Sequence, residues 1–224
     1  MRGMADPSGI TVAPTLAAST LAVALGVACA ALAAAALWVM SAFNALASRR
    51  VRVQNGFAQI DVQLRRRHDL VPNLVAAVKG AMDHERGTLE AVTQARAAAV
   101  AAQSRAAALP GDAGSVTALA GAEAALQGAL GRLLAVMERY PDLKAGGNAL
   151  QLQEELVSTE NRIAFARQAY NDAVMSYNTR LAVFPDLLVA RLFSFLPAGL
   201  FEAEDHARAV PQVDFASAPP PRAG

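Results

Sequence analysis

This chain contains very little cysteine, and its positive and negative charges almost balance. Its 224 residues include one cysteine, Cys29, so no intramolecular disulfide framework is available. The formal net charge is only +1, whereas a strongly basic nucleic-acid binder needs a positive field over its surface. We therefore expect neither a disulfide scaffold nor a nucleic-acid partner.

The common signatures of catalytic and cofactor sites are also missing from the sequence. There is no phosphate-binding glycine loop, no nucleophile elbow and no dinucleotide fingerprint. A di-iron helical bundle requires Glu-x-x-His pairs, and none occurs. His84 and Glu85 lack the second histidine that a zincin helix uses to bind zinc. We expect no catalytic residue, no metal and no cofactor, and the pattern identifies no small-molecule substrate.

Apolar residues, in contrast, make up 54% of the chain, which is high for a purely soluble protein. No charged residue occurs from Pro7 to Ser48, and residues 16–40 are almost wholly apolar. About 20 such residues cross a bilayer as a helix. We interpret 15–43 as a transmembrane helix and 1–14 as a short extracytoplasmic amino terminus, which makes the lipid bilayer the first expected partner.

Positive charge lies mainly on the carboxyl side of this span. Arg49, Arg50 and Arg52 follow it at once, whereas Arg2, partly offset by Asp6, precedes it. Because an excess of arginine favours the cytoplasmic side, we predict a single-pass protein with its amino terminus outside and the bulk of the chain in the cytoplasm.

Two other interpretations of the amino-terminal stretch stay open. A cleaved signal peptide would have a shorter apolar core. Lipidation at Cys29 would need a fuller lipobox, since the usual leucine three residues before the cysteine is absent. A retained anchor with Cys29 as a small hydrophobic residue is the interpretation that we adopt.

The rest of the chain carries apolar stripes at three- and four-residue spacing, which predict amphipathic helices. These stripes run from Val53 to Leu64, from Val75 to about Gln103, from Val116 to Tyr140 and from Asn148 to Phe184. The fourth is the most regular, with a seven-residue repeat at Leu156, Ile163, Tyr170, Tyr177 and Phe184. Short connections between such helices force antiparallel neighbours. We predict an all-α fold in which the transmembrane helix is followed by an antiparallel, four-helix-type bundle at 44–204.

The first of these stripes should end near Pro72. Proline lacks a backbone donor and disfavours helix at the preceding residue, so we expect a break or kink at 68–72. His68 would then be a capping or hydrogen-bonding residue. The three preceding arginines would form a solvated helix end, a phospholipid contact or a partner site, namely Arg65, Arg66 and Arg67.

Polar residues also lie on or beside the other stripes. Glu123 falls on the seam of the third helix, where either Ala122 takes its place or an arginine across the bundle pairs with it. On the fourth helix, polar and aromatic residues predict either a network between helices or a docking groove for a partner's helix or peptide, with Tyr177 partly exposed in the second case. The candidate interaction residues there are Tyr170, Asn171, Tyr177 and Asn178.

After Pro185, residues 187–196 predict a short apolar helix, with Phe193 and Phe195 placed to cover the end of the bundle or to touch lipid. Residues 205–224 are rich in proline and lack periodicity, so we expect a disordered tail.

Two blocks of this sequence resemble the signature blocks of the LemA family. The first is RRHDLVPNLV at 66–75, and the second runs from YPDLKA at 140–145 through TENRI at 159–163 to FP at 184–185. The resemblance covers roughly 51–201. It implies an amino-terminal membrane helix, a cytoplasmic helical bundle and a bacterial inner-membrane location, with a molecular role that is poorly defined across the family.

Two classes of function follow from these observations. The favoured class is a non-catalytic scaffold or interaction protein that presents its bundle to another membrane or envelope protein. The alternative is an accessory subunit or enzyme acting on lipid or peptide at the membrane surface, which lacks a recognisable nucleophile, metal or cofactor constellation.

Overall fold

The structure is a computed structural model that describes residues 12–80, 82–140 and 147–202, and the regular elements in this part are all helical. The helices are α1 (Val12–Val78), α2 (Arg86–Ala108), α3 (Ala113–Met137), α4 (Gly147–Ala182) and α5 (Asp186–Leu192), with a 3-10 turn at Asp83–Glu85 before α2. The predicted all-α fold with antiparallel helices is confirmed.

The chain divides into two compact units, and α1 and α4 contribute to both. Within the described residues, the first unit contains 12–49 and 180–196, and the second contains 50–179 and 197–202. The predicted extracytoplasmic terminus lies largely, and the predicted disordered tail entirely, outside the described residues, and the predicted domain boundaries stay predictions.

The first unit contains the apolar stretch of α1. In the part of the chain that the structure describes, this is the one helix whose length and composition would allow it to cross a membrane. Its large apolar side chains point outward from Leu21 to Met40, and Cys29 is exposed as well. Near the end of this stretch Ala42 and Leu46 are buried.

The second unit is a bundle whose core is built from regular seams. On α1, every third or fourth residue is buried, at Val53, Phe57, Ile60, Leu64, Arg67, Val71, Leu74 and Val78. On α4, the predicted repeat is buried at Leu156, Ile163, Tyr170 and Tyr177. Helices α2 and α3 pack on each other, and Asp112 caps α3 by accepting a hydrogen bond from the Ser115 amide at 2.8 Å.

Helices α1 and α4 approach each other closely at Gly56. A Cβ atom at this position would lie 3.1 Å from the Cα atom of Tyr170, so the absence of a side chain lets the two backbones meet. The Phe57 and Tyr170 rings pack edge to face beside this point, with 6.1 Å between centroids.

The expected break at 68–72 is not found, because α1 continues through Pro72 to Val78. In a helix, the missing amide of Pro72 would leave the carbonyl of His68 without its usual donor. Arg96 of α2 supplies that donor, with its Nε atom 2.6 Å from the carbonyl oxygen. A side chain from another helix therefore replaces the lost backbone hydrogen bond.

The carboxyl-terminal elements also differ from the sequence prediction. Helix α4 ends at Ala182, so Phe184 lies beyond it and is exposed rather than part of the core repeat. Helix α5 is shorter than the predicted 187–196, because it ends at Leu192. Phe193 and Phe195 follow it, and both pack edge-on against Phe43 of α1 within the first unit.

Candidate functional site

A group of polar and charged side chains lies between the helices of the bundle, where Arg67, His68 and Glu123 are buried and Glu160 is partly exposed. We call Arg67 and His68 of α1, Glu123 of α3 and Glu160 of α4 the ionic cluster. The Arg67 guanidinium donates from Nη2 to Glu123 Oε2 and from Nη1 to Glu160 Oε2, the latter at 2.6 Å. One arginine from α1 thus joins carboxylates from two other helices.

His68 extends the ionic cluster to α2. Its Nε2 atom lies 2.8 Å from Glu123 Oε1, and its Nδ1 atom lies 3.0 Å from the side-chain oxygen of Gln103. The Gln103 amide nitrogen donates in turn to the carboxylate and carbonyl oxygens of Asp61, at 2.8 and 3.0 Å. Buried polar atoms require such partners, and this chain of contacts links all four long helices, although the Nε atom of Arg67 is buried without a hydrogen-bond partner.

The environment of the ionic cluster disfavours additional charge. Burial is the main cause that lowers the pKa of His68 to about 4, with the neighbouring charge of Arg67 acting in the same direction. The hydrogen bond with Gln103 and the charge of Asp69 oppose this shift, but removal of the ring from water outweighs them. Burial also lowers the pKa of Arg67, while Glu160 acts against that shift. Each ring nitrogen of His68 nevertheless faces an acceptor oxygen, and a neutral ring can donate to only one of the two.

The sequence pattern contained a signal for this burial. The seam of Val53, Phe57, Ile60 and Leu64 continues to position 67 by three residues and then to Val71 by four. The predicted break at Pro72 stops this register before Arg67 and puts that arginine at a helix end that is solvated, contacts phospholipid or binds a partner. The structure corrects that placement, since Arg67 is in the core.

The other two arginines of this run do lie at the surface. Arg65 forms an ion pair with Asp61 one turn earlier on α1, at 2.7 Å, and Arg66 lies 3.6 Å from Glu155 of α4. Such exposed pairs contribute little to stability. The alternative in which an arginine pairs with Glu123 across the bundle is the one that the structure contains.

A second polar site lies along α4, where an extended segment of the same chain is bound. Asn178 accepts from the Ala198 amide at 2.9 Å and donates to the Ala198 carbonyl at 2.8 Å. Asn171 makes the corresponding pair of contacts with Phe201, at 2.8 and 3.4 Å. Two asparagines seven residues apart thus hold two backbone positions three residues apart.

The same segment makes further contacts that fix its position. Tyr170 donates its hydroxyl to the Gly199 carbonyl at 2.7 Å, and burial raises the pKa of Tyr170 to about 12. A Cβ atom on Gly199 would lie 2.5 Å from the Cα atom of Ala113, so only glycine fits there. The Phe201 ring is buried beneath the guanidinium of Arg167, which is 5.0 Å from the ring centroid.

These contacts decide how the polar residues of α4 are used. Arg167 and Asn171 both reach the carbonyl of Phe201, so they lie on the same side of the helix. Tyr177 is buried, and burial raises its pKa, so the partial exposure that a docking groove required is not found. Three of the four residues proposed to bind a partner's peptide, Tyr170, Asn171 and Asn178, instead contact residues 198–201 of this chain.

The arginines that flank the apolar stretch lie on α1. Arg50 and Arg52 are exposed, and Arg49 donates to the Ala45 carbonyl one turn earlier at 3.4 Å.

No group of three or more histidine, cysteine, aspartate or glutamate side chains with metal-binding geometry occurs in the parts of the chain that the structure describes. The ionic cluster instead places a guanidinium between its two carboxylates.

Comparison with known proteins agrees with this architecture. The model of the LemA family matches residues 56–215, which is most of the chain beyond the apolar stretch. The chain belongs to the LemA family. The signature block at 66–75 thereby acquires a structural meaning, because it contains Arg67 and His68 of the ionic cluster together with Pro72.

Three relatives of this LemA family chain carry the name of magnetosome proteins. Magnetosome proteins MamQ 1 and MamQ 2 of Paramagnetospirillum magneticum are each 36% identical to it over 73 residues, which is 33% of this chain and 27% of each relative. Magnetosome protein MamQ of Magnetospirillum gryphiswaldense is 32% identical over 66 residues, or 30% and 24% of the two chains. The matched stretch therefore spans about a quarter of the length of these relatives.

Proposed function

We propose that this protein is a non-catalytic, membrane-anchored scaffold that presents its helical bundle to another membrane or envelope protein at the cytoplasmic face of the bacterial inner membrane. The observation that carries the proposal is the pairing inside the bundle. Arg67 and Glu123 are paired and buried, and His68 contacts Glu123, so these side chains specify one arrangement of helices instead of facing a substrate.

The outer surface of the bundle offers a place for a partner. A groove between α1 and α4 is lined by Val62 and Phe165, two exposed apolar side chains, with Arg162 at its edge. A groove of this kind, lined by neighbouring apolar side chains, can accept one face of an amphipathic helix. The occupant that fits is a partner helix with an apolar stripe and a neighbouring acidic residue, which would cover the two apolar side chains and meet Arg162.

Site-specific photo-crosslinking in intact membranes tests this proposal. A crosslinking amino acid is placed at Phe165 and, as the control, at Gln168, which is exposed on the same helix. We expect a discrete protein product from position 165 and none from position 168, and Arg162→Glu should reduce its yield. When the crosslinking amino acid is placed instead on the captured protein, in a helix whose apolar stripe lies beside an acidic residue, the product should contain this chain.

Two other results would contradict the proposed scaffold function. Equal products from both positions would indicate random collision. Release of headgroups or peptides by the purified full-length chain in vesicles would favour the class of enzymes that act at the membrane surface.

A further inference from the structure

The first unit presents an exposed apolar surface outside α1. Between α4 and the end of this unit, four large side chains point outward, and each is more than half exposed, namely Phe184, Leu188, Leu192 and Leu196. Helix α5 buries its opposite side through Asp186, Val189 and Ala190. Its outward side is thus the more apolar one, which is the reverse of what a helix surrounded by water presents.

The position of this surface along α1 is fixed by aromatic contacts. The Phe43 ring packs against Phe193 at 5.0 Å between centroids and against Phe195 at 5.4 Å. Phe43 is itself exposed and lies three residues beyond Met40, near the carboxyl end of the apolar stretch of α1. At a rise of about 1.5 Å per residue, that separation is roughly 5 Å along the helix. The residues after α5 therefore lie level with the carboxyl end of the apolar stretch.

Additional contacts hold α5 in this place. Arg180 at the end of α4 forms an ion pair with Asp186, whose carboxylate is buried at the start of α5. The amide of Phe195 donates to the Ala190 carbonyl at 2.9 Å, which closes the chain after the helix. Exposed Arg191 sits beside Leu192 on α5. A long arginine side chain next to apolar residues is suited to the boundary between lipid tails and headgroups.

We propose that the outward side of residues 184–196 is a second membrane contact, which lies in the interfacial layer of the bilayer beside the point where α1 leaves it. The occupant is lipid, because the surface continues the apolar stretch of α1 through the Phe43 contacts and carries a cation at its margin. This inference rests on the proposed membrane anchoring. It adds that the chain returns to the membrane after the bundle, so the protein is held by two segments.

Fluorescence quenching in vesicles can measure this contact on the full-length chain. The single tryptophan, Trp38, is replaced by phenylalanine, and one new tryptophan is introduced per variant. Leu192→Trp is the test position, and Phe165→Trp of the bundle is the matched control, since these residues are 73% and 74% exposed. Leu25→Trp within the apolar stretch reports insertion of the anchor.

Vesicles of phosphatidylcholine and phosphatidylglycerol carry bromine either near the headgroups or deep in the acyl chains. We expect the emission of Leu192→Trp to shift to the blue and to lose most of its intensity with shallow bromine. Leu25→Trp should be quenched by deep bromine, and Phe165→Trp should be unaffected by either lipid.

The outcomes separate this inference from the proposed anchoring. If Leu25→Trp is quenched while Leu192→Trp behaves like Phe165→Trp, the anchor stands and the second contact is wrong. If Leu25→Trp is not quenched either, the anchoring itself fails. Leu196→Trp, at a position that is 77% exposed, repeats the test should Leu192→Trp not retain the helical circular dichroism of the parent chain.

Discussion

Arg66 and Arg67 are neighbours in sequence, yet the bundle places them in opposite environments. The Arg67 side chain is 3% exposed between two carboxylates, whereas the Arg66 side chain is 50% exposed beside Glu155. A charge in water gains little from a partner, and a charge removed from water depends on one. How much each arginine contributes to stability therefore depends on its position on α1 and not on its residue type.

This contrast predicts different effects for two glutamate substitutions. Glu123→Ala should destabilise the bundle by about 3–5 kcal/mol, because it removes a buried partner of Arg67. Glu155→Ala removes a partner of Arg66 and should change stability by less than about 0.5 kcal/mol. Urea unfolding of both variants measures the difference, and equal costs would show that Arg67 is hydrated in solution.

His68 gives the ionic cluster a predicted dependence on pH. Its pKa is near 6.5 in the unfolded chain and about 4 in the folded chain, so between these values the unfolded state binds more protons. The stability contribution is complete above pH 6.5 and is lost as the pH falls towards 4, by at most roughly 3 kcal/mol.

Unfolding of the wild type and of His68→Gln from pH 7 to pH 4 isolates this effect. The wild type should lose more stability on acidification than the variant, which has no titrating ring at this position. A gain in the stability of the wild type relative to the variant would contradict the prediction and show that Glu123 keeps the ring protonated.

At the scale of elements, a proline inside α1 is tolerated because α2 supplies the missing hydrogen bond. The Arg96 side chain donates to the carbonyl of His68, which Pro72 leaves without a backbone donor. Helix α1 thus keeps its seam through the proline, so that Val71, Leu74 and Val78 reach the core beyond it. The continuity of one helix depends on a side chain of another.

A double-mutant cycle tests this dependence. Arg96→Ala should cost about 1–3 kcal/mol, because a backbone carbonyl loses its donor. In a Pro72→Ala background the new amide can bond to the same carbonyl, so the cost of Arg96→Ala should fall by at least roughly 1 kcal/mol. Arg105→Ala, at an exposed position of α2, serves as the control and should be neutral. Strict additivity of the two substitutions would refute the compensation.

At the scale of the whole molecule, the distribution of charge along the chain governs its placement in the membrane. The apolar stretch of α1 has arginines at positions 49, 50 and 52 on its carboxyl side, of which Arg50 and Arg52 are exposed. Arginines next to a span are retained in the cytoplasm. We propose on this basis that the bundle is cytoplasmic.

The orientation can be tested with a phosphatase that is active only outside the cytoplasm. Fused to the carboxyl terminus of the full chain, it should be inactive, and it should gain activity when Arg49, Arg50 and Arg52 are replaced by glutamine. A fusion at the amino terminus serves as the opposite control. Strong activity of the unaltered carboxyl-terminal fusion would reverse the assignment.

The sequence by itself determined the helical class, the apolar stretch and most of the core. These features are periodic or compositional, so they can be read from local spacing, as the burial of Leu156, Ile163 and Tyr170 shows. The two signature blocks at 66–75 and 140–185 also indicated the family before any contact was known.

Only the tertiary structure decided what the polar residues do. Arg67 pairs with Glu123, which is 56 residues later in the chain. Asn171 accepts a hydrogen bond from the backbone amide of Phe201, which is 30 residues later. Local spacing carries no information about such distant partners. The continuation of α1 through Pro72 has the same origin, because the donor that makes it possible belongs to another helix.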